Sequence, residues 1–183
     1  MKEAMNNKKQ TGFTIVELLI VIVVIGILAA ITIVAFNGIQ NRSINTGRIQ
    51  ELASWQKLFQ LYKAENGTFP PVAVKQYCLG SGFPIGPNSG GVARCRDFNG
   101  TGTSSMPESD NAALMAELSK YGSLPSGNRE QINGTVGPYM SQNSWGVVLY
   151  AVINGTPDDC MSPTVSNWSD NNGRTICAIT MNN

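Results

Sequence analysis

The stretch that decides the fold is residues 12–36, GFTIVELLIVIVVIGILAAITIVAF. From Ile15 to Phe36, only Glu17 and Thr32 are clearly polar. A helix of this length measures about 33 Å at 1.5 Å per residue, which matches the roughly 30 Å hydrocarbon core of a bilayer. The stretch therefore predicts a transmembrane helix.

A short polar segment precedes the apolar run. Residues 1–12 carry three lysines against a single acidic residue, so the positive-inside rule places Met1 in the cytoplasm and the chain beyond the helix outside. In an ordinary secretory signal, the small residue of the cleavage site follows the apolar core. Here Gly12 precedes it. Cleavage after Gly12 would leave the hydrophobic helix in the mature protein.

The composition argues against enzymes, metal proteins and nucleic-acid binders. The 183 residues contain no histidine, the commonest general base and metal ligand, and no nucleophile lies in a recognisable pattern beside an activated base. The net charge is +1, with no basic run beyond Lys8-Lys9. The acidic pair Asp158-Asp159 and the segment 170–173 lack the spacing of a complete Ca²⁺ loop. We expect no catalysis, no cofactor, no metal and no nucleic-acid partner.

The four cysteines form two sequence pairs with equal spacing, Cys78 with Cys95 and Cys160 with Cys177. Neither spacing is that of a CxxC motif. An even number of cysteines in an exported, loop-rich domain suggests disulfides, for which three connectivities are possible. We rank two local bridges above the nested and crossed pairings. Each local bridge would stabilise the folded state by roughly 3 kcal/mol. Four reduced, buried thiols are the alternative.

A second helical pattern follows the apolar run and extends to Glu65. Residues 37–66 are expected to continue the helix of residues 13–36 as an amphipathic half that ends at Asn66-Gly67. Apolar residues recur there at three- and four-residue steps: Ile49, Leu52, Trp55 or Gln56, Phe59 and Tyr62. Charged residues occupy other positions: Arg48, Glu51, Lys57 and Lys63.

Residues 67–183 are predicted to form a loop-rich domain with a small antiparallel sheet. Residues 70–110 are interpreted mainly as a long loop, and residues 110–121 as a short helix with Asp110 as a candidate N-cap. Three segments are predicted strands: Trp145–Ile153, Thr175–Met181, and Val136–Met140 at a sheet edge because of Pro138. The predicted fold class is therefore α+β.

The stretch from Gly12 to Ile31 closely resembles the processing and assembly signature of type IV pilins and pseudopilins. The resemblance covers about 20 consecutive positions and has Gly12, Phe13, Glu17 and the mid-helix Gly26 in register. It implies that a membrane-embedded prepilin peptidase cuts between Gly12 and Phe13 and N-methylates Phe13. It also implies that Glu17 pairs with the terminal amine of a neighbouring subunit, and that Gly26 belongs to the assembly helix.

The physical setting of Glu17 agrees with that implication. A carboxylate inside a bilayer helix costs on the order of 2.5–3.5 kcal/mol, so it normally has a partner. After cleavage, Phe13 would carry a positive amine four residues away on the same helical face. Glu17 then acts as a register device rather than a source of net stability. The alternative is a carboxylate that snorkels to the interface. One departure from the family is Val34, where many members have a proline.

The resemblance implies a pilin-like fold, in which a long N-terminal helix, transmembrane in its first half, packs against a small antiparallel sheet. It implies a homo-polymer in a helical filament, with the prepilin peptidase and the inner-membrane assembly machinery as partners. The subunit would lie in the bacterial inner membrane before assembly and in an extracellular pilus afterwards. The disulfide-bounded C-terminal segment, Cys160 to Cys177, resembles the surface loop of many pilins.

Three functions remain open from the sequence. We place first a structural subunit of a type IV pilus, major or minor, serving adhesion, motility or DNA uptake. The alternative is a pseudopilin of a type II secretion system. A monomeric single-pass membrane protein with a ligand-binding outer domain is a third class, and it would keep Met1.

Cleavage after Gly12 is testable by substitution. Gly12→Ala is expected to be partly tolerated, whereas Gly12→Leu should block processing because a large side chain does not fit where the peptidase expects a small residue. Mass spectrometry of the mature N-terminus measures the result. Normal processing of the Gly12→Leu variant would refute the assigned site.

Overall fold

The computed structural model describes residues 12–72, 76–97, 105–160, 165–170 and 174–183, with only the backbone for residues 34, 35, 37 and 165–170. The predicted leader up to residue 11 and the segment 171–173 lie outside the described residues. The chain divides into two compact units, Met1–Gln40 and Asn41–Asn183.

The first element, α1 (Ile15–Asn66), is a single helix that begins in the first unit and ends in the second. It is the one described helix that is long and apolar enough to cross a membrane. Every side chain from Phe13 to Ile33 is exposed. The helix ends as expected, because Gly67 takes a left-handed conformation with φ of 77° and donates its N–H to the Lys63 carbonyl at 2.8 Å.

The second unit contains a five-stranded antiparallel sheet and short helices. The strands are β1 (Gln76–Cys78), β2 (Arg94–Arg96), β3 (Met106–Pro107), β4 (Tyr139–Asn143), β5 (Gly146–Asn154), β6 (Val165–Asp170) and β7 (Arg174–Asn182). The sheet order is β1-β4-β5-β7-β6, and a separate pair, β2 and β3, lies outside it. The helices are α2 (Ala112–Leu118) and the 3₁₀ turns Glu108–Asn111, Ser119–Tyr121 and Pro157–Cys160.

The core of the second unit lies between α1 and one face of the sheet. The apolar stripe predicted for the second half of α1 is buried there, with Leu52, Trp55 and Phe59 fully inaccessible. These side chains share one cluster with apolar residues of the sheet and of α2: Leu118, Met140, Leu149 and Ile153. A helix packed against a small antiparallel sheet is the expected α+β, pilin-like architecture.

Two disulfides close local loops, in the arrangement ranked first from the sequence. Cys78 bonds Cys95 at 2.04 Å, joining β1 to β2. Cys160 bonds Cys177 at 2.08 Å, joining a 3₁₀ turn to β7. All four sulfur-bearing residues are buried. The two bridges therefore attach irregular chain to the sheet.

The sequence-based interpretation of the loops was partly wrong. Residues 70–110 contain β1, which belongs to the main sheet, together with β2 and β3. The segment from Cys160 to Cys177 is not a simple surface loop, because it contains β6, paired with β7. These strands are short or lack clear alternation, so the period-2 signal that identifies a half-buried strand is weak.

Three boundaries also differ from the prediction. The strand after Pro138 is not an edge, because β4 lies between β1 and β5. Pro138 precedes this strand, so it removes no donor from the ladder, and its carbonyl accepts the Leu79 N–H at 3.0 Å.

The N-cap of α2 is Asn111, without a side-chain cap bond, since a 3₁₀ turn from Glu108 precedes the helix. Trp145 lies in the turn before β5.

Two charged residues of α1 are buried although the sequence set them apart from the apolar stripe. Arg48 and Glu51 are only 3% and 5% exposed. Arg48 donates to the carbonyls of Val152 at 2.6 Å and Val136 at 3.3 Å, and to the Asn128 side chain at 2.9 Å. Burial lowers the pKa of Arg48 to about 10, against the raising effect of nearby carboxylates, so the guanidinium is charged at neutral pH.

Glu51 is held by Arg129 in a two-pronged ion pair. The Arg129 Nη2 and Nη1 atoms lie 2.7 and 3.0 Å from the two carboxylate oxygens. Arg129 also donates to the Ser81 carbonyl at 3.2 Å and lies over the Phe83 ring at 4.7 Å. The pair thus ties α1 to two irregular segments, 81–83 and 123–131.

Removing one partner of this pair should destabilise the second unit. Arg129→Ala leaves the Glu51 carboxylate buried without its counter-charge, which costs about 3–5 kcal/mol. Urea unfolding of the detergent-solubilised full chain measures the change. The control is Lys120→Ala, which breaks the exposed Lys120–Glu117 pair and should cost below about 1 kcal/mol. Equal midpoints for the two variants would contradict the assignment.

Candidate assembly segment

The start of α1 is organised by Thr14 and Glu17, three residues apart. The Glu17 carboxylate accepts the Thr14 backbone N–H at 2.8 Å and the Thr14 hydroxyl at 2.7 Å. The Thr14 hydroxyl oxygen in turn accepts the Glu17 backbone N–H at 3.3 Å. This reciprocal pair is a capping box, which satisfies N–H groups that the first turn of a helix leaves without partners.

The capping box is a feature that the sequence analysis missed. The signal was present, because Thr14 followed by Glu17 directly before an apolar run is the S/T-x-x-E pattern of a helix start. The sequence-based interpretation gave Glu17 a partner in a neighbouring subunit, because a carboxylate in lipid is costly. The structure shows hydrogen-bond partners for the carboxylate within its own subunit.

The structure places the other predicted site residues along the same exposed segment. Gly12 and Phe13 lie just before the helix, and Phe13 is 85% exposed, so the described part of the chain does not cover the peptide bond between them. Gly26 lies within the continuous helix, and a Cβ added there would meet nothing within 4 Å. The fold of the single subunit therefore does not require a glycine at Gly26.

The exposed face of α1 carries little besides hydrocarbon. From Ile15 to Ile33 the exposed side chains include one carboxylate, Glu17, and one hydroxyl, Thr32, which is bonded to the Ala29 carbonyl at 2.9 Å. Contiguous apolar patches above a few hundred Å² are rare on soluble monomers and mark protein or membrane contacts. The exposed apolar surface of this segment is therefore typical of a contact with a membrane or with another protein.

No metal-binding cluster of three His, Cys, Asp or Glu side chains occurs within the described residues. Near Asp158-Asp159, the Asp159 carboxylate accepts the backbone N–H and the hydroxyl of Thr156 at 2.8 and 3.1 Å. This pair closes a local turn. The second acidic segment considered from the sequence, residues 170–173, has no described side chains.

Comparison with known families identifies the same segment. The family model described as "Prokaryotic N-terminal methylation motif" matches residues 7–33. The match includes the Gly12–Phe13 junction, Thr14, Glu17 and Gly26.

Curated relatives match over a longer stretch of the chain. The type II secretion system core protein G of Aeromonas hydrophila is 27% identical over 66 residues, which is 36% of this chain and 46% of that protein. The corresponding proteins of Vibrio cholerae and Escherichia coli are each 29% identical over 63 and 62 residues, 34% of this chain and 43% of their own length. The chain thus spans less than half the length of these relatives. No solved structure matches.

Fold and motif together define a class of protein. Its members combine an α+β domain with a long helix whose apolar N-terminal part carries a methylation motif. The methylation motif and the similarity to type II secretion core protein G both agree with the resemblance to type IV pilins and pseudopilins found in the sequence.

The capping box can be tested by removing its hydroxyl. Thr14→Ala should speed amide hydrogen exchange in the first turn of α1 by about 2- to 30-fold, because losing an N-cap side chain costs about 0.5–2 kcal/mol. Thr14→Ser keeps the hydroxyl and should exchange like the wild type. The measurement is hydrogen exchange on the mature chain in detergent micelles. Identical protection in both variants would show that the capping box is not formed.

Proposed function

We propose that the chain is a subunit of a type II secretion pseudopilus, made as a membrane-anchored precursor, trimmed between Gly12 and Phe13, N-methylated, and polymerised through α1. The observation that carries the proposal is the exposed apolar surface of residues 15–33, which lie within the matched N-terminal methylation motif. Such a surface can be covered by lipid or by copies of the same helix.

The choice of secretion over a pilus reverses the order favoured from the sequence. There, two disulfides and a large loop region favoured a surface-exposed pilus subunit. The curated relatives compared above all carry the name of a type II secretion core protein, which supports the alternative. The N-terminal helix alone could not discriminate, because both kinds of filament use the same segment.

A type IV pilus subunit is the second candidate. It is favoured by the two disulfides, which attach irregular segments to the sheet, since filaments outside the cell encounter shear and proteases. The two readings differ in where the filament lies. A pseudopilus should be recovered with the cell envelope, whereas a pilus should be recovered in sheared surface filaments.

Assembly exchanges one apolar environment for another. In the membrane, the exposed side chains of α1 contact lipid tails, so moving the helix into a bundle of like helices brings little hydrophobic gain. Packing and polar pairing must then select the register. Glu17 is suited to this role, because in an apolar bundle only a neighbour in the correct register supplies a positive terminal amine at Phe13.

The hydrogen bonds from Thr14 would support the Glu17 carboxylate while the subunit is still in the membrane. Before assembly, the carboxylate is bonded to the Thr14 N–H and hydroxyl, which lowers the cost of holding it near lipid. Both bonds go to Oε2, so about two of the roughly four lone-pair sites of an ionised carboxylate, those of Oε1, remain available. A neighbouring amine can therefore be accepted without breaking the cap.

The register role of Glu17 predicts a split between insertion and assembly. Glu17→Ala should leave membrane insertion intact or improved, while filament yield falls at least tenfold because the neighbouring amine loses its counter-charge. Thr32→Ala is the matched control, since Thr32 bonds only within its own helix turn and should assemble normally. Quantitative recovery of filaments and of membrane-bound subunit measures both steps.

Two outcomes would contradict the proposed function. Normal filament yield from Glu17→Ala would remove the register role. A wild-type chain recovered as solitary molecules with Met1 intact, under conditions in which a known pseudopilin is processed, would overturn the filament assignment altogether.

A further inference from the structure

Trp145 is the most exposed large apolar side chain described in the second unit, at 79%. Its backbone is nevertheless firmly held. The Asn143 side-chain oxygen accepts the N–H groups of Trp145 at 2.9 Å and Gly146 at 3.1 Å, and the Trp145 carbonyl accepts the Asn183 N–H at 3.0 Å. A fixed turn thus presents an indole ring that the fold of the subunit does not cover.

This turn lies at the end of the second unit where α1 ends. Gly146 pairs with Asn182 across β5 and β7, and the Lys63 amine donates to the Asn182 carbonyl at 2.7 Å. The other end of β5 is near the start of the unit, because Asn154 exchanges hydrogen bonds of 2.6 and 3.1 Å with the Asn45 side chain. Nine strand residues separate the two ends by about 30 Å.

A cleft lies in the half of the unit nearer Asn45. It has a volume of about 650 Å³ and is bounded by α1 on one side and by the irregular segment 123–128 on the other. Its lining includes Ser43, Ile44 and Gly47 from the helix, and Leu124, Pro125 and Asn128 from the segment. A Cβ added at Gly47 would meet nothing within 4 Å, so open space lies directly over this glycine.

The cleft is preformed, because buried charges fix both of its walls. Arg48 of the helix bonds the Asn128 side chain, and Arg129 bonds Glu51. The backbone of the segment approaches the ion pair so closely that a Cβ at Gly127 would lie 2.2 Å from a Glu51 oxygen. A binding site with rigid walls loses little entropy on binding.

We propose that Trp145 of one subunit inserts into this cleft of a second copy. The proposal rests on the proposed function, because it assigns a contact within the filament. A single kind of subunit builds an open filament only through two different, complementary patches, one of which can be an apolar knob and the other a pocket. Trp145 and the cleft are such a pair, and they lie at different ends of the same unit.

The chemistry of an indole suits the cleft. A tryptophan side chain contributes 150–250 Å² of contact area, and tryptophan is enriched among the residues that dominate binding energy. Leu124, Pro125 and Ile44 supply apolar contacts, while the polar side chains Ser43 and Gln50 at the lining offer acceptors for the indole N–H.

The first test uses two substitutions on opposite sides of the contact. Trp145→Ala removes the knob and should leave folding unchanged, because the Trp145 side chain is 79% exposed. A Cβ at Gly47 meets nothing within 4 Å, so Gly47→Leu should extend into the open cleft, and it replaces a poor helix former with a good one. Each should lower the fraction of full-length, processed chain recovered as filaments at least tenfold. Ile85→Ala, which trims another exposed apolar residue at 61%, is the control and should assemble normally.

The second test joins the two sides chemically. Chains carrying Ser144→Cys, an exposed position beside the intact Trp145, and chains carrying Ser43→Cys, at the lining of the cleft, are co-expressed, and filaments are treated with a short bismaleimide. The described native cysteines are all in disulfides, so cross-linked dimers should form only when both variants are present. Each variant expressed alone is the background control.

The outcomes separate this contact from the filament assignment. Normal filaments from both substitutions, or a defect in only one of them, would overturn the pairing of Trp145 with the cleft. Absence of cross-linked dimers in intact mixed filaments would do the same. If neither the wild type nor Ile85→Ala forms filaments, the proposed function fails, and this contact fails with it.

Discussion

The rest of the structure depends on an apolar helical surface that its own subunit leaves bare. Side chains from Ile15 to Ile33 are exposed without exception, and burying this hydrocarbon is worth roughly 25 cal/mol per Å². We therefore expect lipid or like helices to cover this surface and to shield it from water. The membrane-anchored precursor and the filament proposed above would both satisfy that constraint.

In the proposed filament, Glu17 would turn this non-directional attraction into a specific one. Apolar helices slide past one another at little cost, because leucine, isoleucine and valine contacts are nearly equivalent in any register. A single carboxylate paired with a neighbour's terminal amine would make one register better than the rest. The capping box with Thr14 has a separate role, since it keeps the carboxylate satisfied while no neighbour is present and fixes where the helix begins.

The second unit contributes rigidity through buried charge as well as through its apolar core. Arg48, Glu51 and Arg129 connect α1 to segments that have no regular secondary structure. Such a network gives little net stability over an apolar replacement, because desolvation offsets most of the Coulomb attraction. The network instead fixes the position of these segments relative to α1. The segment 123–128 is held at a fixed distance from the helix, so the shape of the surface beside α1 is constant from one subunit to the next.

The amino-acid sequence by itself determined the membrane-length helix, its C-terminal stop at Asn66-Gly67, the apolar stripe through Leu52 and Phe59, and the motif around Gly12 and Glu17. Each of these is local, since a run of hydrophobic residues, a helical period or a glycine cap is visible in a short window. Only the tertiary structure decided that β1 and β6 complete the sheet, that β4 is internal, and that Arg48 and Glu51 face inward to partners 78 to 104 residues away. These features depend on contacts between distant parts of the chain, whose pairing no local pattern specifies.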